Sequence, residues 1–173
     1  MVYNITLNRH LLPLTADIEP ESSDFIAKEL KLMLSKRDLD GAVGCLKMLF
    51  SRVPYQIHVE QEFFYHGLLQ MAFYASVIKA QSEYSRGHAR IDLVLDLPSL
   101  FYVIEVKFNE SAEAALAQIE ERKYYEPFLK CGKPITLLGL SFKKEPSSFE
   151  ITYVKKEQKY RQRVLTVMPK KEL

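Results

Sequence analysis

Two short apolar runs with charges set inside them restrict the fold more than any other part of this chain. Ile91-Asp-Leu-Val-Leu-Asp-Leu97 and Phe101-Tyr-Val-Ile-Glu-Val-Lys-Phe108 are rich in β-branched and aromatic residues and are separated by Pro98-Ser99. Such a pattern predicts a β-hairpin. Side chains alternate across a strand, so Glu105 and Lys107 share one face while Val106 takes the other. The neighbouring strand can then bring Asp92 beside them. Charged groups flanked by Leu93, Val94, Val103 and Ile104 are costly to bury without a partner, so these three residues need an explanation that their neighbours do not.

The rest of the chain supplies layers for that hairpin. Apolar residues at helical spacing, Phe25, Ile26, Leu30, Met33 and Leu34 and then Ala42, Leu46, Leu49 and Phe50, predict two helices between Ile18 and Phe50 with a charged link at Ser35–Gly41. Ser22-Ser23-Asp24 offers N-caps for the first. Pro54 breaks the pattern, and His58–Lys79 reads as the main helix of the domain. After the hairpin, Asn109-Glu110-Ser111 opens a helix over Ala112–Lys130 that Gly132-Lys133-Pro134 closes. Ile135–Phe142 and Phe149–Val154 read as two strands joined by a turn around Glu145-Pro146-Ser147, and from about Lys155 the chain reads as a tail.

With 173 residues, 47% of them hydrophobic, one globular domain with a full core is expected. No run approaches the roughly 18 apolar residues of a membrane span, and Met1–His10 lacks the features of a secretory leader, so a cytoplasmic location without membrane contact is the expectation. Cys45 and Cys131 have no partner at metal-ligand spacing and are read as packing residues. The net charge of +2 hides an asymmetry: Lys143–Leu173 carries nine Lys or Arg against four Glu, a balance of +5, which leaves −3 for the remainder. A basic segment beside an acidic centre suits a protein that grips a polyanion through metal ions, with Lys143, Lys144, Lys155 and Lys156 as candidate nucleic-acid contacts; the plainer reading is a solvated tail.

Two carboxylates converging on one point repel unless a proton or cation lies between them, and hard oxygen donors favour Mg²⁺ or Mn²⁺. Asp92 and Glu105 would hold such an ion, which activates a bound water and offsets charge developing on a phosphate. Lys107 would orient or deprotonate the water, or stabilise the pentacovalent phosphate, and the residues leave that choice open. The competing structural explanation is a cross-strand ion pair at the rim of a sheet. GxSxG, HExxH and GxGxxG are all absent, and Gly132-Lys133 is followed by Pro134 with no glycine at 127, so no P-loop is present.

These residues resemble the PD-(D/E)xK nuclease superfamily, and the resemblance extends beyond the triad. Glu62-Phe-Phe-Tyr65-His66, Ser82-Glu83, Arg90-Ile91-Asp92, Tyr102-Val-Ile-Glu105-Val-Lys107, Ala114-Ala-Leu-Ala-Gln118-Ile, Tyr124 and Leu138-Gly139-Leu-Ser-Phe142 occur in the order of a branch usually found behind an AAA-ATPase-like domain. Ile91 replaces the proline of the superfamily's name, and Ala89 a glycine common in that branch. The resemblance implies Asp92, Glu105 and Glu62 as metal-site residues, Lys107 as the catalytic lysine, and Gln118 and Tyr124 as the helix motif flanking the site, with Gln118 the active-site residue of the two. Without it, Gln118 reads equally as a helix-to-strand hydrogen bond and Tyr124 as a packing residue. Gln118 and Tyr124 stand six apart, so one helix cannot put both squarely on one line. His66 shares a helix face with Glu62 but reads as a hydrogen-bonded group before a ligand. Glu83 is assigned to pairing with Arg86 or Arg90.

The expected architecture is α/β: a restriction-endonuclease-like core with a central mixed sheet flanked by helices and an added N-terminal helical segment. In numbers, residues 1–54 form that segment, 55–155 the core and 156–173 a basic tail, all in one domain. The expected activity is Mg²⁺- or Mn²⁺-dependent cleavage of nucleic acid, DNA by resemblance. The rival is a binding or regulatory module of the same fold working with a separately encoded ATPase. A homodimer through the apolar face of the N-terminal helices is a further expectation, unless the domain itself covers that face.

Overall fold

The computed structural model describes residues 20–54, 58–86, 89–145 and 148–158, without the side chains of 20–24, 82–86, 89–90 and 148. Three helices come first: α1 (Pro20–Lys36), α2 (Leu39–Phe50) and α3 (Glu62–Ala75). Strands β1 (Lys79–Arg86), β2 (Ala89–Asp96) and β3 (Phe101–Phe108) follow, then helix α4 (Ala112–Glu121), a 3₁₀ turn at Glu126–Phe128, and strands β4 (Ile135–Glu145) and β5 (Ser148–Gln158). The sheet runs β1-β2-β3-β4-β5. Every neighbouring pair is antiparallel except β3 with β4, which α4 joins as a parallel crossover. This is the mixed sheet flanked by helices that the sequence predicts.

Alternation along the strands sorts the core into two layers. Leu93, Leu95, Tyr102, Ile104, Val106, Leu138, Leu140 and Phe142 pack against Ile26, Leu30, Leu34, Leu46 and Leu69 of α1–α3. Val94, Val103, Ile135 and Leu137 pack on the other side against Ile119, Tyr124 and Phe128. The apolar stripes of the N-terminal helices are therefore mostly covered by the domain's own sheet, although Phe25 stays exposed, and the Tyr102 hydroxyl donates to the Leu34 carbonyl at 2.8 Å across that boundary. Truncating a fully buried residue such as Leu30 in this layer costs about 2–5 kcal/mol.

Several boundaries differ from expectation for local reasons. Helix α1 starts at Pro20, so Ser22-Ser23-Asp24 lie inside its first turns rather than capping it. Helix α3 ends at Ala75, short of Lys79, because Val77 turns left-handed (φ 54°) while its N–H reaches Tyr74 O and the Ile78 N–H reaches Phe73 O. The helix also starts at Glu62 rather than His58, and Lys79, expected as its last residue, opens strand β1, a stretch for which the sequence predicts no element. Helix α4 likewise stops at Glu121 rather than Lys130: Lys123 (φ 51°) donates to Glu120 O and Tyr124 to Ile119 O, the Schellman pattern with lysine in place of glycine. Strand β5 runs on to Gln158, so Lys155 and Lys156 are strand residues, not tail. The turn at Pro146-Ser147 and residues 159–173 lie outside the described residues. Cys45 is buried as expected, but Cys131 is exposed and packs no core. Among the described residues no helix is long and apolar enough to cross a membrane.

Candidate active site

The β2–β3 hairpin is zipped from Asp96↔Phe101 to Leu93↔Ile104 and then opens, although both strands continue. Backbone groups beyond a ladder's end need other partners. Asp92, the first residue past the last pair, supplies and receives them: its Oδ2 accepts the Val106 N–H at 3.0 Å, and its own carbonyl accepts from His66 Nε2 at 2.8 Å. His66 is thus a hydrogen-bonded group, in line with its sequence reading.

Glu105 lies on β3 in register with Gly139 of β4 and is only 2% exposed. A Cβ on Gly139 would fall 2.2 Å from Ala112 O and 2.7 Å from Leu116 N, so the missing side chain is what lets α4 lie against the sheet at this point. That approach delivers Gln118, whose Nε2 donates to Glu105 Oε1. The same nitrogen is 3.5 Å from the Tyr124 hydroxyl. Residues six apart meet here because the helix has already ended at Glu121, and the chain folds Tyr124 back.

Lys107 Nζ stands 3.7 Å from Glu105 Oε1 and 3.7 Å from Glu62 Oε2, with 14% of its side chain exposed. Glu62 opens α3, whose entry is fixed by Tyr65 stacked between Phe108 (5.0 Å) and Phe142 (4.8 Å). The sequence therefore places Asp92, Glu105, Lys107, Glu62 and Gln118 around one opening of the sheet. Burial above all, then the nearby Asp92 carboxylate, pushes the Glu105 carboxyl up to about 8; Lys107 opposes this, Glu62 adds to it and Arg122 opposes. Glu105 Oε2 is buried and has no hydrogen-bond partner among the described residues, a deficit that ordinarily costs about 1–3 kcal/mol and more for a charge.

An orphaned carboxylate oxygen beside a second carboxylate fits a hard divalent cation. Asp92 and Glu105 supply the carboxylates of that fit, and Glu62 is paired with Lys107 at 3.7 Å; among the described residues no group of three His, Cys, Asp or Glu is gathered. The four candidate lysines are not brought together. By strand alternation Lys143 and Lys156 lie on the α4 side of the sheet, Lys144 and Lys155 on the α1–α3 side. Lys144 pairs with Glu60 and Lys156 with Glu120. One cation escaped the sequence reading: Arg122, exposed at the C-terminal cap of α4, follows Gln118 by one turn and its charge reaches Glu105. It sits in the charged run Glu120-Glu121-Arg122-Lys123, which reads as a solvated helix end and does not single it out.

A model of the PD-(D/E)XK nuclease superfamily matches residues 60–152, more than half of the chain. An uncharacterized protein in the vnfD 5′ region of Azotobacter chroococcum mcd 1 is 26% identical over 137 residues, covering 75% of this chain and 27% of that protein. The chain thus spans about a quarter of that relative's length. No solved structure matches. The matched span holds Glu62, Asp92, Glu105, Lys107 and Gln118, and with the mixed five-stranded sheet beneath them the chain belongs to the PD-(D/E)XK nuclease superfamily.

Proposed function

We propose that this domain is a metal-dependent nuclease that hydrolyses phosphodiester bonds of nucleic acid, DNA in the first instance, in the cytoplasm. The observation that carries the reading is Glu105: its Oε2 is buried with no partner among the described residues, the Asp92 carboxylate is nearby, and Lys107 stands against its Oε1. Asp92 and Glu105 would hold Mg²⁺ or Mn²⁺, which when bound supplies an activated water and offsets charge on the phosphate. Gln118 steadies Glu105 through Oε1, leaving Oε2 for the cation. Glu62 holds Lys107 at the mouth of the site, where its ammonium meets a phosphate oxygen or the attacking water. Arg122, together with Lys143 and Lys156 on the same side of the sheet, would contact neighbouring phosphates.

The test is cleavage of single- and double-stranded DNA and RNA with Mg²⁺, Mn²⁺ or EDTA, for the wild type, Lys107→Ala and Glu105→Ala. Cutting that needs the metal and drops by about 10²–10³-fold or more in each variant, with the fold retained, is the expected result. Absence of cutting under every condition, with no metal binding by calorimetry, would transfer the domain to the partner-binding reading.

A further inference from the structure

At the fork between β2 and β3, Asp92 is held by two hydrogen bonds from outside the ladder. Its side chain, not its main chain, meets the Val106 N–H at 3.0 Å. Its main-chain carbonyl turns to a histidine on a helix, His66 Nε2 at 2.8 Å. Glu62 and His66 are four apart on α3 and grip one strand each: Glu62 pairs with Lys107 on β3, His66 holds Asp92 on β2. The first two turns of α3 therefore bridge the opening, and Tyr65 between them is locked by stacking on Phe108 and Phe142.

We propose that His66 is a positioning residue: by donating from Nε2 to the Asp92 carbonyl it fixes the forked backbone of β2 and so aims the Asp92 carboxylate at the ground shared with Glu105. His66 acts through Asp92 and is not itself a ligand. A carboxylate whose main chain is free to rock would trade its contact with Val106 for water, and its oxygen would no longer converge with Glu105. The inference rests on the nuclease reading for its functional consequence, though its structural half stands apart.

The experiment compares His66→Leu, which removes the donor, with His66→Gln, whose amide nitrogen can occupy the place of Nε2; His66→Asn, too short to reach, replaces His66→Leu if the latter does not fold. Three quantities are read: Mn²⁺ affinity by calorimetry without nucleic acid, hydrogen exchange of the Val106 amide by NMR, and kcat and KM for cleavage. Donor loss should weaken Mn²⁺ binding by about 10–100-fold, speed Val106 exchange and lower kcat with KM little changed, and His66→Gln should restore most of each. Wild-type Val106 exchange in His66→Leu, or failure of His66→Gln to rescue it, overturns the proposal. So does a His66→Gln protein that loses Mn²⁺ while Val106 stays protected, which would make His66 a ligand. If the wild type binds no Mn²⁺, the nuclease reading fails, and the Val106 exchange alone still decides whether His66 sets Asp92.

Discussion

The two ends of the β2–β3 hairpin carry the same kind of residue and treat it in opposite ways. At the closed end Asp96 is paired in the ladder with Phe101 and meets two cations, Lys133 Nζ at 2.6 Å and Lys79 Nζ at 3.7 Å, while Lys133 also donates to Leu97 O. At the open end Glu105 is more deeply buried, the cation it pairs with is 3.7 Å away and shared with Glu62, and among the described residues one of its oxygens has no hydrogen-bond partner. An acid that only needs to hold a structure together finds complete partners; Glu105 has been left short of them at a cost to stability. Such a deficit in one carboxylate, with a well-satisfied one in the same hairpin, points to a site.

The largest expected effect concerns pH. The Glu105 carboxyl rises from its ordinary 4.5 to about 8, so between those values the folded chain keeps a proton that the unfolded chain has released. Stability of the metal-free protein then falls as pH climbs from 4.5 to 8, by on the order of 5 kcal/mol at most, and no further above 8. Thermal melts across that window should show the slope in the wild type and lose most of it in Glu105→Gln. An equal slope in both would break the contrast between the two ends.

Next in size is Gly139→Ala. The added methyl meets the α4 backbone, so the helix must lift from the sheet. A loss of about 3 kcal/mol in denaturant melts is expected, together with a weaker Gln118 contact to Glu105. A wild-type midpoint would show that α4 lies farther out. The smallest effect belongs to the closed end: Asp96→Ala should cost roughly 1–2 kcal/mol, read by the same melts, and leave cleavage unchanged. A cleavage defect there would erase the functional distinction between the ends.

The sequence discloses what is written in a short window and hides what depends on where an element stops. The hairpin and its three charges are legible because apolar runs interrupted by charge are informative within eight residues. Strand β1 is not, since Lys-Ala-Gln-Ser-Glu-Tyr-Ser-Arg shows little apolar alternation and the helix before it is closed off by Val77, a β-branched residue seldom found at positive φ. The meeting of Gln118 with Tyr124 was hidden for the same reason, because Lys123 takes a left-handed cap usually held by glycine. A run of positive charge gave no hint that its lysines would alternate between two faces of a strand. Arg122 was silent because its position is defined by Gln118, one turn away.

Strand β5 has a consequence for the protein's company in solution. Among the described residues it is an outer strand of eleven residues, with one side of its backbone paired to β4. Long open edges invite the edge of another chain, and lysines along them discourage it. Lys155 and Lys156 stand side by side and point to opposite faces, so a copy of the same strand laid with its lysine pair against theirs would set like charge against like on both surfaces. Whatever these lysines do for nucleic acid, lysines on an open edge act in general against one molecule's sheet growing into the next.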